Sequence, residues 1–275
     1  MATGIQYLDE TWNPITGCTP ISEGCANCWA KTMANRLKGM GSKRYQHDDP
    51  FAVRFHPDEL DKPLHWRKPR RVGVCFMGDM FHDDVPWQAI EHVYSTISRL
   101  QVRHQFFCLT KRPARMAERY ADWCRHASGG NPMPAIWNGI TAENNIRFDE
   151  RVGSLFRAGG KMWASLEPML SGIYPGQNTL KQFGWVVVGC ESGPKRRPCK
   201  LEWIQDIVEQ CKAAGVPCFV KQVPVPKVPM EAREASTAKY MPANQYDAYC
   251  ERHGWRVSHD PSEWPESLRV QEFPT

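Results

Sequence analysis

VGVCFMGDMFHDDVP, residues 72–86, carries the most informative pattern for the fold of this chain. Its apolar run, VGVCFM, ends abruptly at Gly78 and Asp79, and an amphipathic stripe then continues to Leu100 through apolar residues three or four apart. An apolar run without alternation is typical of a strand that is buried on both faces of a parallel sheet. Such a strand with a helical stripe behind it predicts one βα unit.

Five further apolar runs repeat this pattern along the chain. Their starts lie roughly 25–30 residues apart, which is the length of one βα unit, and helical stripes lie between several of them. With a short strand before Cys18, the pattern predicts an α/β fold, a partial (βα)6–7 TIM-like barrel of parallel strands over residues 1–223. Residues 42–71 are expected to form a long polar loop, and residues 224–275 a proline-rich C-terminal extension packed on the barrel. The predicted strands are 72–77, 104–109, 135–140, 161–166, 184–189 and 216–221.

Composition and charge limit the classes of protein to which this chain can belong. The chain is 41% hydrophobic and 24% charged, which are ordinary globular values, and its net charge is +5. This charge permits a nucleic-acid partner without requiring one, because solvated loops explain its two basic clusters equally well. There is no signal-peptide pattern and no apolar run near the ~20 residues of a membrane span. Eleven scattered cysteines therefore indicate the reducing cytoplasm rather than a disulfide framework. The basic clusters are Lys62, Arg67, Lys68, Arg70 and Arg71, and Lys195, Arg196, Arg197 and Lys200.

Three of the cysteines form the most specific motif, TWNPITGCTPISEGCANCWA at residues 11–30. Cys18, Cys25 and Cys28 are spaced C-x6-C-x2-C. Thiolates are soft ligands for zinc, copper(I) and iron–sulfur clusters, and the x2 spacing lets one loop direct two sulfurs at one ion or cluster. A closed structural zinc site uses four ligands, so three local thiols favour a cluster that leaves one iron open. The alternatives are a zinc loop with a distant fourth ligand, such as His47, and unrelated buried thiols.

Polar residues or glycine follow each predicted strand at once. Because the C-terminal ends of parallel βα strands carry the chemistry, we expect these residues to line the rim of one polar pocket. Helix capping is the alternative for the carboxylates, and salt bridging is the alternative for the two cations. The residues are Gly78 and Asp79; Thr110, Lys111 and Arg112; Thr141, Glu143 and Asn144; Ser165 and Glu167; Glu191 and Ser192; and Lys221 and Gln222.

The cysteine loop ahead of a partial barrel, with Gly78–Asp79 after the next strand, resembles the radical S-adenosylmethionine (SAM) superfamily. The C-x6-C-x2-C spacing departs from the C-x3-C-x2-C of most members and is shared with some atypical groups. More closely, the chain resembles a phage and bacterial family whose members are described only as phage proteins of radical-SAM type. The motifs that carry this resemblance are TWNPITGC, GCANCWA, GDMFHDDVP, LTKRP at 109–113, GITAEN at 139–144, SLEPML at 165–170, GCESGP at 189–194 and VKQ at 220–222.

The resemblance implies a mechanism and a set of site residues. The three loop cysteines would hold three irons of a [4Fe–4S] cluster, and the open iron would bind SAM. Reduction by an electron donor such as flavodoxin or ferredoxin would release a 5′-deoxyadenosyl radical that takes a hydrogen atom from the substrate. Gly78 and Asp79 stand where the superfamily contacts the SAM amino group, with Asp in place of Glu. The further candidates by position are Thr141, Glu143 and Asn144 for the SAM ribose, and Ser165 and Glu167 for the surroundings of its carboxylate or for substrate.

The phage resemblance also suggests a substrate. It favours a nucleobase in DNA or RNA, and one version is isomerisation of an amino-acid-modified thymine during phage DNA hypermodification. The enzyme would then work in the host cytoplasm, with SAM and a nucleic acid or nucleotide as partners and without a membrane. The alternatives are a zinc- or cluster-stabilised nucleic-acid-binding protein without turnover, and a radical SAM enzyme acting on a peptide or small metabolite. The catalytic candidates are Glu191, Lys221 and Cys190, and the substrate-binding candidates are Lys111, Arg112, Ser192 and Arg197.

Overall fold

The computed structural model describes residues 4–100, 103–227 and 242–274. Most of the proline-rich stretch predicted within the C-terminal extension, residues 228–241, lies outside the described residues. The chain divides into two compact units, Met1–Thr141 with Glu150–Trp163, and Ala142–Asp149 with Ala164–Thr275. None of the described helices is both long and apolar enough to cross a membrane.

Parallel strands form the frame of the first unit. Strands β1, β4, β5 and β6 lie side by side in that order, and β2 pairs with β3 in a separate antiparallel ribbon. The strands are β1 (Glu10–Trp12), β2 (Ile15–Thr16), β3 (Arg54–Phe55), β4 (Arg71–Val74), β5 (Gln105–Cys108) and β6 (Ile136–Thr141). The helices are α1 (Trp29–Gly39), α2 (Trp87–Leu100) and α3 (Pro113–Ala127).

Aromatic side chains fill the core of this first unit. The fully buried Phe106 and Phe107 on β5 stand on opposite faces, as neighbours on a strand must. Trp12 packs edge-on against Phe106 at 6.1 Å, and Trp163 packs edge-on against Phe107 at 5.6 Å. The indole N–H of Trp163 donates to the carbonyl oxygen of Cys108 at 2.9 Å, so the buried ring keeps no unpaired donor. Burial on both faces explains why this strand is continuously apolar in the sequence.

The second unit repeats the βα arrangement. Strand β8 pairs with β9 in parallel, β10 adds an antiparallel neighbour to β9, and α6 connects β8 to β9. Helix α6 ends at Ala214, and its C-cap residue Gly215 adopts the left-handed conformation with a φ of 69°. The elements are α4 (Asn145–Ala158) and β7 (Lys161–Leu166), which each have residues in both units, then α5 (Gln177–Leu180), β8 (Trp185–Gly189), α6 (Leu201–Ala214), β9 (Cys218–Pro226), α7 (Ala243–His253) and β10 (Trp255–Ser258).

The C-terminal residues pack on strands of the second unit. Val220 donates its N–H to the carbonyl of Val270 at 2.8 Å, and the indole of Trp185 donates to the carbonyl of Glu272 at 2.8 Å. The Phe273 ring lies 5.3 Å from the Phe219 ring. The end of the chain therefore covers the buried aromatic residues of β8 and β9.

The predicted fold class is confirmed as α/β, with mostly parallel strands that alternate with helices as in part of a TIM-like barrel. All six predicted strands are present, and the largest difference is β9, which continues to Pro226 rather than ending at residue 221. Residues 42–71 contain only short 3-10 turns and β3 before β4 begins, as expected for a polar loop. Strand β10 was not predicted, because four residues with two half-buried side chains give too short a pattern.

Candidate functional site

Backbone hydrogen bonds fix the cysteine loop to the end of β4. Gly17 donates to the carbonyl of Met77 at 3.0 Å, and Asp79 donates to the carbonyl of Gly17 at 3.2 Å. On its other side the loop is held by the 42–71 segment, because the Cys18 N–H donates to the carbonyl of Phe51 at 3.1 Å. The first thiol is thus carried on well-anchored backbone.

Exposure separates the loop thiols from the other cysteines of the chain. Cys18, Cys25 and Cys28 are half-buried, whereas the other eight cysteines are buried, and none of the eleven is in a disulfide. Cys25 ends a 3-10 turn, Glu23–Cys25, and Cys28 is the N-cap residue of α1. Among the described residues, no three His, Cys, Asp or Glu side chains already lie close enough to hold one metal ion, His47 included. The loop nevertheless carries three accessible thiols. Thiolates are soft ligands, so these residues fit a thiophilic metal or an iron–sulfur cluster.

Arg112 connects the end of β5 to the cysteine loop. Its Nη1 donates to the Cys18 Sγ at 3.3 Å and to Asp79 Oδ2 at 3.2 Å. Its Nη2 donates to the carbonyl and hydroxyl oxygens of Thr19, both at 3.2 Å. The side chain is only 9% exposed, so this charge is largely withdrawn from solvent. Little of the guanidinium is left for the substrate contact that was predicted for Arg112.

The surroundings of two loop thiols affect their ionisation in opposite directions. Burial raises the pKa of Cys18 to about 11, the charge of Asp79 adds to the rise, and the Arg112 guanidinium opposes it. Burial also acts to raise the pKa of Cys25, but the charge of Lys111 and hydrogen bonds within the loop outweigh burial and lower it. Cys25 is therefore the more readily ionised thiol of the two.

Asp79 is buried, and the chain's own donors surround its carboxylate. The Thr110 hydroxyl lies 2.8 Å from Oδ1 and 2.9 Å from Oδ2, and the Phe81 N–H donates to Oδ1 at 3.0 Å. Oδ2 also accepts from Arg112 Nη1 at 3.2 Å and from the Lys111 N–H at 3.4 Å. An ionised carboxylate has about four acceptor positions, and these donors fill them. The contact expected between Asp79 and the SAM amino group stays a prediction.

His82 and Thr19 form a second link between the loop and the end of β4. Nδ1 of His82 accepts from the Asp84 N–H at 3.1 Å, so the proton of the neutral ring lies on Nε2. That proton points to the Thr19 hydroxyl oxygen 2.7 Å away. Thr19 was not among the predicted site residues, because a lone threonine in a loop carries no pattern.

In the second unit, Glu167 lies between two of the predicted site residues. Lys221 Nζ donates to Glu167 Oε1 at 2.9 Å, and the Ser165 hydroxyl donates to Oε2 at 3.1 Å. The buried Gln222 donates through its side-chain amide to the carbonyl of Cys190. Burial raises the pKa of Cys190 to about 12, with the charge of Glu167 adding to the rise, so this thiol is neutral. The ends of β7 and β8 and the middle of β9, which continues past Lys221 and Gln222 to Pro226, thus supply one polar cluster.

A second ion pair follows β8. Glu191 is buried and accepts from the backbone N–H of Arg197 at 2.7 Å and from its Nε at 3.0 Å, while Nη2 donates to the other carboxylate oxygen. Ser192 between them is exposed. The guanidinium of Arg196 lies over the Trp255 ring, 4.9 Å from its centroid. These arginines thus stabilise the loop after β8.

The residues after β6 have structural partners. Asn144 accepts the Arg147 N–H at 2.9 Å and so caps the first turn of α4. Glu143 is fully buried, and its carbonyl accepts the Leu170 N–H at 2.8 Å. In the first unit, the Thr141 carbonyl accepts from a buried arginine at 2.7 Å. Their assignment to the SAM ribose remains a prediction.

The first basic cluster is partly neutralised within the protein. Arg70 donates to Glu10 at 3.1 Å and lies over the Trp66 ring at 5.3 Å. Arg71 pairs with Asp9, while Arg67 and Lys68 are exposed. Counting positive charges in the sequence therefore overstates the charge that remains for phosphate groups.

We expect Lys221→Met to lower the free energy of unfolding by about 1–3 kcal/mol, because it leaves the largely buried Glu167 carboxylate without its charged donor. The side chains of this pair are only 21% and 12% exposed. The matched control is Arg256→Met, which breaks an ion pair exposed by 45% and 37% in the same unit and should cost at most about 1 kcal/mol. Urea-induced unfolding measures both. Equal losses for the two variants would contradict the importance of the buried pair.

Comparison with known proteins gives a family and no function. The chain belongs to the family described as Protein of unknown function (DUF5131), whose sequence profile matches residues 2–249. No curated protein matches the chain, and no solved structure matches it.

Proposed function

We propose that this DUF5131 protein is a cytoplasmic radical SAM enzyme that acts on a nucleobase-type substrate. The observation that carries the proposal is the contrast among its cysteines, because only the three thiols of the C-x6-C-x2-C loop are half-exposed while the other eight are buried. Buried cysteines act as small apolar residues, whereas accessible thiols on one loop are suited to bind a cluster.

Cys18, Cys25 and Cys28 would hold three irons of a [4Fe–4S] cluster. When bound and reduced, that cluster supplies the electron that cleaves SAM to a 5′-deoxyadenosyl radical. The chain's own contribution is to present three sulfurs and to balance their negative charge. Arg112 donates to Cys18, and the charge of Lys111 favours the thiolate of Cys25. A physiological reductant such as flavodoxin or ferredoxin would deliver the electron.

The polar residues of the second unit are the proposed ligand contacts. Ser165 and Glu167 would bind SAM or substrate, and Lys221 would hold the Glu167 carboxylate in place through its 2.9 Å hydrogen bond. Cys190 would be a neutral thiol and would therefore keep its S–H hydrogen atom, which a thiolate lacks. Glu191, Ser192 and Arg197 would contribute from the loop after β8; these roles rest on position in the sequence.

A nucleobase substrate is supported by exposed side chains beside the thiols. Trp29 follows Cys28 directly and is 45% exposed, and Ile21 in the same loop is 44% exposed. Exposed aromatic rings next to basic residues can stack on bases. We propose DNA or RNA bases as the substrate class, with isomerisation of an amino-acid-modified thymine as the concrete version.

Anaerobic reconstitution followed by product analysis tests this function. The protein would be loaded with iron and sulfide, reduced with dithionite and incubated with SAM, and 5′-deoxyadenosine would be quantified. We expect 5′-deoxyadenosine together with a mass change in nucleosides from phage-modified DNA. Unchanged nucleosides with 5′-deoxyadenosine formed would move the substrate to a peptide or small metabolite. A colourless zinc protein that leaves SAM intact would instead indicate a binding protein without turnover.

A further inference from the structure

We propose that Arg112 is a positioning residue that fixes the Cys18 sulfur as a metal ligand and raises the reduction potential of the bound cluster. The effect on the reduction potential rests on the proposed function, because it requires a bound iron–sulfur cluster. The hydrogen bond from Arg112 to Cys18 would support any metal that the thiolate binds, so the two parts can be tested separately.

The guanidinium of Arg112 makes hydrogen bonds through both of its terminal nitrogens. One nitrogen, Nη1, donates to both Cys18 Sγ and Asp79 Oδ2, and the other, Nη2, donates to two oxygens of Thr19. The planar fork thus binds the residue that carries the sulfur and the residue that follows it. A guanidinium held at four points cannot rotate away from the thiol, whereas a lysine ammonium at the same place would make fewer directed contacts.

Arg112 is itself held by Asp79. Asp79 is buried, and its carboxylate also accepts from Thr110, from the Phe81 N–H and weakly from the Lys111 N–H. Because donors of the chain fill its acceptor positions, the buried Asp79 carboxylate is satisfied without an external ligand. Its role is to anchor Arg112 at 3.2 Å, and Arg112 in turn anchors Cys18.

Arg112 also acts electrostatically. The Arg112 side chain is 9% exposed, so its charge is weakly screened by water at the position of the sulfur. Reduction adds one negative charge to an iron–sulfur cluster, and a nearby cation stabilises the reduced state more than the oxidised state. Hydrogen bonds to the sulfurs and local net charge are the protein's means of setting this potential. Removing Arg112 should therefore make the potential more negative.

The first test uses Co²⁺ alone as a probe on the reduced, metal-free protein, following the thiolate-to-cobalt charge-transfer absorption. We expect Arg112→Gln to weaken Co²⁺ binding by roughly 10–100-fold, the usual effect of losing an outer-shell partner of a metal ligand. Arg112→Lys should recover part of the loss. The matched control is Arg119→Gln on the same helix, because Arg119 pairs with Glu118 and Asp122 rather than with the loop. The Arg112 side chain makes no helix-capping bond, so its replacement leaves the start of α3 intact.

Asp79→Asn tests the anchoring step. If Asp79 acts through Arg112, the single variant weakens Co²⁺ binding and the double variant with Arg112→Gln is no weaker than Arg112→Gln alone. Losses that multiply in the double variant would overturn the anchoring role of Asp79.

The second test is an EPR-monitored redox titration of the reconstituted protein. Arg112→Gln should shift the midpoint potential to more negative values, Arg112→Lys should lie between it and the original protein, and Arg119→Gln should leave the potential unchanged. Co²⁺ affinity and midpoint potential both unchanged in Arg112→Gln would overturn the proposal. If the original protein assembles no iron–sulfur cluster while Arg112→Gln still weakens Co²⁺ binding, the proposed function fails and the positioning role stands.

Discussion

Alanine at any one of Cys18, Cys25 and Cys28 is expected to lower iron binding at least tenfold and to abolish SAM cleavage. The three thiols lie on one loop, and every other cysteine of the chain is buried. A lost loop thiol therefore has no replacement nearby, and two thiolates on one loop bind a cluster far more weakly than three. We expect the iron and sulfide content after anaerobic reconstitution to fall at least tenfold in each variant, in line with the 10–100-fold costs seen for weaker, outer-shell changes.

The matched control for these variants is Cys124→Ala. Cys124 is a buried thiol on α3 in the same unit and is 6% exposed. Its removal leaves a small cavity that should cost about 1 kcal/mol of stability and no iron. A loop variant that keeps its iron, or a Cys124 variant that loses it to the same extent, would remove the loop cysteines from the proposed cluster site.

The second large effect is expected at Gly17, one residue before Cys18. Its φ is 86°, in the left-handed region, and a Cβ added there would lie 2.1 Å from the carbonyl oxygen of Ala52. The obstacle is backbone of the 42–71 segment, so a flexible side chain cannot move aside. We expect Gly17→Ala to lower the free energy of unfolding by about 4 kcal/mol or more and to displace the loop from its anchor.

Gly129→Ala separates steric collision from backbone strain. Gly129 also has a positive φ, 63°, but a Cβ added there meets nothing within 4 Å. Only the conformational penalty of about 1–2 kcal/mol is expected at this position. Urea-induced unfolding followed by tryptophan fluorescence gives the stability of both variants, and iron content after reconstitution reports the loop. Similar losses of stability and iron in the two variants would show that the close approach at Gly17 is unimportant.

The frame of the fold could be predicted because buried parallel strands and amphipathic helices leave long patterns in a sequence. The apolar runs of β4 to β9 are explained by burial on both faces of a strand. The apolar stripes of the helices are explained by burial of one face, in α2, α3, α4 and α6. The two-residue strand β3 escaped prediction because no periodicity can develop over that length, and β10 escaped because its partly exposed residues form no continuous apolar run.

The composition of the candidate site was predictable in part. The cysteine spacing identified the loop, and strand ends identified most of the polar residues. Their partners could not be foreseen, because those contacts join distant positions: Arg112 meets a sulfur 94 residues away, and Lys221 meets a carboxylate 54 residues away. Asp79, which was expected to face a ligand, is likewise bound by Arg112, 33 residues away in the sequence.

In the proposed function, three loop thiolates hold a [4Fe–4S] cluster whose fourth iron is open to SAM. The most direct measurement is the EPR spectrum of the reconstituted, dithionite-reduced protein, recorded with and without SAM. We expect the signal of a reduced [4Fe–4S] cluster whose g values change when SAM is added, because SAM would bind the open iron. A cluster signal that SAM leaves unchanged, or a protein that binds zinc and gives no signal, would contradict it.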